Sequence, residues 1–210
     1  MTHIVWDWNG TLLDDLSLVV AATNESLATL GVGPVTPDEH RRDFIRPVQA
    51  YYEFVAGRDI TAAEFQALDR AFHDTYDVGV PTIELTKGVR ELLSSYGAGQ
   101  SLRSMWFHTQ LVPTVDRYGL TPYFQRVDGL RGTLGGGHKA PMLRAHLDAL
   151  GLRGQDVVLI GDSVDDADAA ASVGARAVLY SGGFTDVERL RKVGVPVADT
   201  LEDALAIAIA

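Results

Sequence analysis

The chain has 210 residues, no cysteine, 46% hydrophobic residues and a formal net charge of −10. This length suits one domain, or one domain with an insert, and the hydrophobic content is sufficient for a core. The absence of cysteine excludes disulfides, thiolate catalysis and cysteine metal sites, which suits a cytoplasmic protein. The acidic balance and scattered basic residues argue against a nucleic-acid partner. Apolar stretches such as ALAIAIA (204–210) fall short of the ~20 residues that span a bilayer, and we expect neither a signal peptide nor a membrane partner.

The first part of the chain combines one short strand with a long helical region. Residues 3–8 (HIVWDW) predict a strand that is buried on both faces. From Leu16 to about Tyr76 the apolar residues recur at three- and four-residue spacing, which is typical of helices. Thr36 followed by Pro37 predicts the start of one of these helices. We find no convincing strand pattern in this region.

After Thr86 the pattern changes to alternating strands and helices. The predicted strands are QSLRS, RVDGL, DVVLIGD, ARAVLY and VPVAD, and Pro113 is expected to kink or interrupt the helix that follows the first of them. This alternation predicts an α/β fold, a Rossmann-like three-layer core with a parallel sheet. The first strand must join that sheet. We therefore assign residues 1–15 and 86–210 to the core and residues 16–85 to an inserted, all-helical domain.

Several polar residues lie at, or shortly after, the carboxyl ends of predicted strands of this sheet. They are Asp7, Ser104, Lys139, and Asp162 with the nearby Asp165 and Asp166. Ligands of open parallel sheets bind at the carboxyl ends of the strands, so these side chains are expected to converge. A carboxylate, a hydroxyl, a cation and an acidic cluster suit phosphoryl transfer, which depends mainly on positioning and charge neutralisation.

The same residues carry a resemblance to a known family. DWNGTLLDD, Ser104, Lys139 and GDSVDDADAA resemble the four ordered motifs of the haloacid dehalogenase-like (HAD) hydrolase superfamily, and the helical insert resembles the cap of its phosphatase-like members. The resemblance implies that Asp7 is a nucleophile that forms an aspartyl-phosphate. It implies that Thr11 is the hydroxyl residue of the first motif, and that Lys139 neutralises Asp7 and the transferring phosphoryl group.

The resemblance also implies a Mg²⁺ site, because hard oxygen ligands suit this ion. Its ligands would be Asp7, the backbone carbonyl of Asn9 and Asp162, with Asp166 supporting them. We interpret Asp165 as a solvated acid at the start of a helix.

The hydroxyl of the second motif could be Ser104 or Thr109. In the family, a helix of about a dozen residues follows this hydroxyl and leads to a segment like GLTPYF, which begins here at Gly119. Ser104 leaves room for that helix and Thr109 does not, so we predict Ser104. We interpret His108 as a surface or packing residue, although it could act as a substitute acid.

Asn9 stands where the phosphatases of the family have an Asp that protonates the leaving group. An amide cannot do this, and general acid–base catalysis is typically worth ~10²–10⁴-fold. Three hypotheses follow: a phosphohydrolase that favours good leaving groups; a slow phosphate-binding or phospho-accepting protein with a regulatory or partner-binding role; and deamidation of Asn9-Gly10 to supply the missing acid. The opening DWNGTLLDD resembles that of an unusual branch of the superfamily, which has Asn at this position of the first motif (DxN).

Substrate choice is expected to rest with the helical cap, which can close over the site and exclude water. We predict that the substrate is a small phosphorylated metabolite bound by Gly10, Arg46 and Tyr51, in a protein that is a monomer or weak homodimer. Arg46 could instead cap a helix, and Tyr51 with Tyr52 could pack the bundle.

Two other classes rank lower. Receiver domains of two-component systems use a similar residue set, but their acidic pair lies on the first strand and their phospho-accepting Asp comes later. Dehalogenases and phosphonate hydrolases of the superfamily carry other residues at the position of Asn9, typically Tyr and Ala.

Overall fold

A six-stranded parallel sheet forms the centre of the protein. The computed structural model describes residues 2–132 and 137–210. The strand order is β3-β2-β1-β4-β5-β6, and all pairs are parallel. The strands are β1 (His3–Trp6), β2 (Gln100–Phe107), β3 (Val127–Leu130), β4 (Val157–Gly161), β5 (Arg176–Tyr180) and β6 (Val197–Ala198).

Ten α-helices are found in the described residues. They are α1 (Leu16–Ala28), α2 (Pro37–Asp43), α3 (Val48–Ala56), α4 (Ala62–Gly79), α5 (Val89–Ser95), α6 (His108–Arg117), α7 (Ala140–Leu150), α8 (Val164–Ser172), α9 (Val187–Arg191) and α10 (Leu201–Ile209). Within the described residues, none of them combines the length and hydropathy needed to cross a membrane.

Hydrophobic layers cover both faces of the sheet. Ile4 and Trp6 face one buried cluster, and Val5 between them faces the other. Side chains alternate along a strand, so a strand that is apolar at every position must be covered on both sides. The predicted fold class, a Rossmann-like α/β core with a helical cap inserted after the first strand, is confirmed.

The residues between β1 and β2 form helices with a hydrophobic cluster of their own. Helices α1 and α4 pack against each other. A separate buried cluster contains Leu27, Tyr52, Ile60, Phe65 and Leu68. This segment is helical, as expected of a cap. The domain boundaries at residues 16–85 stay a prediction.

Capping explains where two of these helices begin. Thr36 and Glu39 form a capping box at the start of α2, with Pro37 at the first helical position. The predicted start of this helix is therefore confirmed. Thr61 and Glu64 form the same arrangement at the start of α4.

Two features around the second strand differ from the sequence expectations: the strand is longer than predicted, and Pro113 does not interrupt the helix that follows it. Strand β2 continues to Phe107, three residues beyond its predicted end at Ser104, and its register with β3 is irregular between Arg103 and Phe107. Helix α6 runs through Pro113 without interruption. A proline inside a helix removes one hydrogen bond. The burial of Leu111 and Val115 on the same helix offsets that loss.

The register of the central strands fixes the position of the functional residues. Trp6 of β1 pairs with Ile160 of β4, and the backbone N–H of Asp7 donates to the carbonyl of Ile160 at 2.9 Å. Asp7 therefore leaves β1 beside the point where Asp162 leaves β4. Parallel strands in register bring their carboxyl ends to the same edge of the sheet.

Two buried histidines, His3 at the start of β1 and His146 on α7, meet at Ser101 of β2. Nε2 of His3 and Nε2 of His146 both contact Oγ of Ser101, at 2.8 and 2.9 Å. Burial, and then the proximity of His146, lower the pKa of His3 to about 4. His3 is therefore neutral in the folded protein at pH values where a solvated histidine is protonated.

We expect His3 to make the free energy of unfolding sensitive to acid. Because the pKa is lower in the folded state than the 6.5 of the unfolded chain, this stability is present above pH 6.5 and is lost as the pH falls toward 4. Between pH 7.5 and pH 5 the wild type should lose about 1–2 kcal/mol more than His3→Gln, as measured by urea unfolding. Equal losses in the two proteins would contradict this assignment.

Candidate active site

Three buried carboxylates meet at the carboxyl edge of the sheet. Asp7, Asp162 and Asp166 each offer an oxygen within 4.8 Å of the others. Asp7 follows β1, Asp162 follows β4, and Asp166 lies in the first turn of α8. Residues far apart in the sequence thus form one acidic cluster, as the resemblance implied.

Lys139 is the cation of this cluster. Its Nζ lies 2.6 Å from Oδ1 of Asp7 and also forms an ion pair with Asp166. Burial would lower the pKa of Lys139, but the charges of Asp166 and Asp7 outweigh it, and the pKa is raised. Lys139 is therefore protonated and holds the Asp7 carboxylate in place.

The carboxylates also perturb one another. Burial raises the pKa of Asp7 to about 6, opposed by the charge of Lys139. Burial, with the charges of Asp7 and Asp166, raises the pKa of Asp162 well above its ordinary value. The ammonium of Lys139 therefore does not fully offset the burial of Asp7 and Asp162.

This imbalance fits a divalent cation. Three carboxylates and one ammonium leave a local charge of −2 when all four groups are ionised. The donors are hard oxygens, which Mg²⁺ prefers to nitrogen or sulfur. The donor chemistry of the site is thus suited to Mg²⁺.

Asp165 differs from its sequence interpretation as a solvated acid. Its side chain is only 10% exposed and accepts a hydrogen bond from the backbone N–H of Lys139 at 2.9 Å. His138 and Arg46 also lie within 3.2 and 3.8 Å of it. Asp165 therefore fixes the backbone that carries Lys139.

A tight turn after Asp7 brings Gly10 and Thr11 against Asp162. Gly10 has a φ of +70°, and a Cβ there would lie 2.5 Å from Oδ2 of Asp162. Thr11 donates its hydroxyl to Oδ1 of Asp162 at 3.3 Å, and the N–H of Phe184 donates to Oδ2 at 2.6 Å. Only glycine fits this conformation and this close approach. The predicted role of Gly10 in substrate binding stays a prediction.

Asn9 is held by a buried hydrogen-bond network. Its Nδ2 donates to Oδ2 of Asp15 at 2.8 Å and to the hydroxyl of Tyr76 at 2.6 Å. The Tyr76 hydroxyl donates to the same Asp15 oxygen at 2.5 Å, and the N–H of Gly10 donates to Oδ1 at 2.8 Å. Both hydrogens of the amide are therefore used within the protein.

Asp15 and Tyr76 were missed by the sequence interpretation. Asp15 is fully buried, and burial raises its pKa to about 6, opposed by the hydrogen bonds from Tyr76 and Asn9. Asp15 is the last residue of the motif DWNGTLLDD, so a second acid close to Asn9 could have been suspected. Tyr76 comes from α4 in the helical insert, and nothing in the sequence links it to the first motif.

Ser104 contacts this network and Thr109 does not. Oγ of Ser104 donates to Oδ1 of Asn9 at 3.1 Å and accepts from the N–H of Trp106 at 3.0 Å. Thr109 is exposed on α6. His108 accepts a hydrogen bond from the N–H of Gly129 and contacts Arg131. The arrangement favours Ser104 as the hydroxyl of the second motif.

A cavity between the helical insert and the core opens beside Asn9. It encloses about 790 Å³ including its open mouth. Tyr51 is buried in its wall, and its hydroxyl lies 3.1 Å from Nδ1 of His40. Arg46 lies at the rim, with Nε 3.8 Å from Asp165 and Nη1 3.2 Å from the carbonyl of Gly137. Both predicted substrate-binding residues of the cap therefore line this cavity, which we call the cap pocket.

The capped parallel sheet, with Asp7, Lys139 and the acidic cluster at its carboxyl edge, is the arrangement expected from the resemblance to HAD hydrolases. A family model described as HAD-hydrolase-like matches residues 135–204. A phosphoglycolate phosphatase from Caulobacter vibrioides is 30% identical over 87% of this chain and 80% of its own. A phosphoglycolate phosphatase from Synechococcus elongatus is also 30% identical, over 90% of this chain and 88% of its own.

Solved structures have the same fold. A hydrolase from Pseudomonas syringae superposes with a TM-score of 0.80 at 21% identity, over 98% of this chain and 97% of its own. The chain belongs to the haloacid dehalogenase-like hydrolase family. The predicted enzyme class, a HAD-like hydrolase of the phosphatase type, is thereby confirmed.

Proposed function

We propose that this protein is a Mg²⁺-dependent phosphohydrolase that acts on a small phosphorylated metabolite through an aspartyl-phosphate at Asp7. The observation that carries the proposal is the buried Asp7 carboxylate, 2.6 Å from Lys139 and within an acidic cluster. The names of the relatives, phosphoglycolate phosphatases, support a small phosphomonoester as substrate.

The reaction has two displacements at phosphorus. An oxygen of Asp7 attacks the phosphorus atom, and the bond from phosphorus to the ester oxygen breaks, with the electron pair leaving on that oxygen. Water then attacks the phosphorus of the aspartyl-phosphate and the bond from phosphorus to the Asp7 oxygen breaks. Phosphate and the Asp7 carboxylate are released, and the proton lost by the water passes to solvent. Lys139 orients Asp7 and balances the negative charge of the phosphoryl group in both steps.

Asp7, Asp162 and the backbone carbonyl of Asn9 would hold the metal, and Asp166 would support them. Bound Mg²⁺ supplies positive charge that neutralises the transferring phosphoryl group. Thr11 and the N–H of Phe184 keep Asp162 oriented through the hydrogen bonds described above. Ser104, whose hydroxyl donates to Oδ1 of Asn9, would contact the phosphoryl group as the hydroxyl of the second motif.

Asn9 determines which esters react well. The amide has no acidic proton, and its two N–H groups already donate to Asp15 and Tyr76. The ester oxygen must therefore leave without a proton from this position. Aryl oxides, acylates and phosphates leave readily in this form, whereas alkoxides do not, so we propose a preference for good leaving groups.

The experiment is a leaving-group series with and without Mg²⁺. We expect p-nitrophenyl phosphate and acetyl phosphate to turn over with Mg²⁺ and to stop when EDTA removes it. Alkyl phosphates should be slower by about 10²–10⁴-fold, the usual worth of general acid catalysis. A rate that is independent of the leaving-group pKa would contradict the role given to Asn9, and activity in EDTA would contradict the metal.

A slow phospho-accepting protein is the second candidate, because Asn9 also cannot activate the water of the second step. It predicts one equivalent of released alcohol per protein, followed by little turnover. Rapid-quench kinetics with p-nitrophenyl phosphate separates the two: steady turnover supports the hydrolase, and a single burst supports the acceptor. Deamidation of Asn9 would appear in a peptide map as a mass increase on the peptide that contains Asn9-Gly10.

The proposal includes a cytoplasmic location and a monomeric or weakly dimeric state. Light scattering over a range of protein concentrations tests the oligomeric state, because a weak dimer should dissociate on dilution.

A further inference from the structure

The cap pocket is lined mainly by aromatic and aliphatic side chains. Its aromatic residues include Phe44, Tyr51, Phe72, Tyr76, Trp106 and Phe184. Several of them pack edge-to-face or stacked: Phe44 on Tyr51 with ring centroids 5.3 Å apart, Phe72 on Tyr76 at 5.5 Å, and Tyr76 on Trp106 at 5.4 Å. A wall of interlocked rings favours a flat, apolar occupant.

The pocket has few cationic side chains that could bind a second negative charge on the substrate. Among the described residues that line it, Arg46 is the sole Arg or Lys, and it lies at the rim, 3.8 Å from the carboxylate of Asp165. Asp69 also lines the pocket, with Oδ1 3.8 Å from Nε2 of His73. A carboxylate on the substrate would lose its hydration there without gaining a dedicated cation.

The two histidines of the pocket, His40 and His73, do not supply the missing positive charge. Burial lowers the pKa of His40 to about 4, and burial lowers the pKa of His73 despite its acidic neighbours. Both rings are therefore neutral at pH 7. Nε2 of His40 and Nδ1 of His73 have no hydrogen-bond partner among the described residues. Buried polar atoms usually have partners, so a neutral hydrogen-bonding substituent on a ligand would suit this wall.

We propose that the cap pocket selects phosphomonoesters whose organic group is aromatic and uncharged, in preference to small carboxylated esters such as phosphoglycolate. The inference rests on the proposed function, since it assigns the substrate class of the same site. The two effects are separate. Asn9 affects the departure of the ester oxygen, whereas the cap pocket binds the organic group that is attached to that oxygen. Aryl esters satisfy both requirements.

Binding of two phosphonates tests the pocket without any turnover. Benzylphosphonate carries the ring and phosphonoacetate carries the carboxylate, and both have a phosphonate that cannot be hydrolysed. With Mg²⁺ present, we expect benzylphosphonate to bind at least tenfold more tightly by isothermal titration calorimetry. Equal or tighter binding of phosphonoacetate would overturn the proposal, and so would failure of both compounds to bind.

Kinetics with two alkyl esters removes the effect of the leaving group. Benzyl phosphate and phosphoglycolate both release an alkoxide, so Asn9 handicaps both. We expect a higher kcat/KM for benzyl phosphate, mainly through a lower KM, and the reverse order would overturn the proposal. Acetyl phosphate needs no ring, so its Mg²⁺-dependent hydrolysis tests the proposed function separately.

Two phenylalanines provide a matched pair of variants. Phe44 lines the pocket, whereas Phe54 is 63% exposed on α3 and does not line it. Phe44→Ala should weaken benzylphosphonate binding by about 3- to 10-fold. Phe44→Leu, which keeps apolar bulk and protects against a folding defect, should weaken it less. Phe54→Ala should leave it unchanged, and an equal loss in Phe54→Ala and Phe44→Ala would contradict a specific ring site.

Discussion

Asp7→Asn should abolish steady-state turnover of p-nitrophenyl phosphate, with a loss on the order of 10⁴-fold or more. The amide has nearly the same shape as the carboxylate, so the fold and the pocket should be kept. It lacks the negative oxygen that attacks phosphorus, and it cannot form the aspartyl-phosphate. The measurement is the initial rate at saturating Mg²⁺, with circular dichroism and the thermal midpoint as evidence of folding.

The matched control for this substitution is Asp14→Asn. Asp14 belongs to the same motif but is exposed, and its replacement makes the same change in charge. We expect the rate of this variant to stay within about twofold of the wild type, as is usual for surface substitutions. If Asp7→Asn kept a substantial rate, or if both variants lost activity equally, Asp7 would not be the nucleophile.

The exchange Asn9→Asp with Asp15→Asn should create a faster enzyme for alkyl phosphates. It restores a carboxylic acid at position 9 and an amide at position 15, so the 2.8 Å hydrogen bond between the two side chains is kept in reverse. The new carboxylic acid would then be able to donate a proton to the alkoxide. We expect an increase of about 10²–10⁴-fold for an alkyl ester and a much smaller increase for p-nitrophenyl phosphate.

The single substitutions should behave differently from the exchange. Asn9→Asp alone would put two carboxylates within hydrogen-bond distance in a buried network, so one of them must hold a proton and its pKa must rise. In Asp15→Asn alone, the new amide N–H₂ would face either the N–H₂ of Asn9 or the N–H of Gly10. Two donors would then face each other, which leaves a buried polar group without a partner. Each single variant should therefore lower the thermal midpoint, and the double variant should recover most of the loss.

A double-mutant cycle of unfolding free energies and alkyl-phosphate rates tests this pairing. Contact between the two side chains predicts a coupling of about 1–3 kcal/mol in stability. Additive effects of the two substitutions would show that Asn9 and Asp15 do not act as a pair. An exchange variant that folds normally but gains no alkyl-phosphatase activity would show that position 9 does not face the leaving group.

The sequence by itself determined the α/β class and the convergence of Asp7, Lys139 and Asp162. Short apolar runs that alternate with helical patterns specify a parallel sheet. In such a sheet the residues after β1 and β4 must meet at one edge, whatever the details of packing.

Only the tertiary structure decided what surrounds Asn9. Tyr76 is 67 residues away from Asn9 and comes from a helix of the cap, and Asp165 turned out to fix the backbone of Lys139 rather than face solvent. The extent of β2 beyond Ser104 and the persistence of α6 through Pro113 also depend on packing against neighbouring elements. Periodicity reports which face of an element is buried, but it does not report which distant side chain reaches it. The network around Asn9 and the aromatic wall of the cap pocket consist of such contacts between side chains that are distant in the sequence.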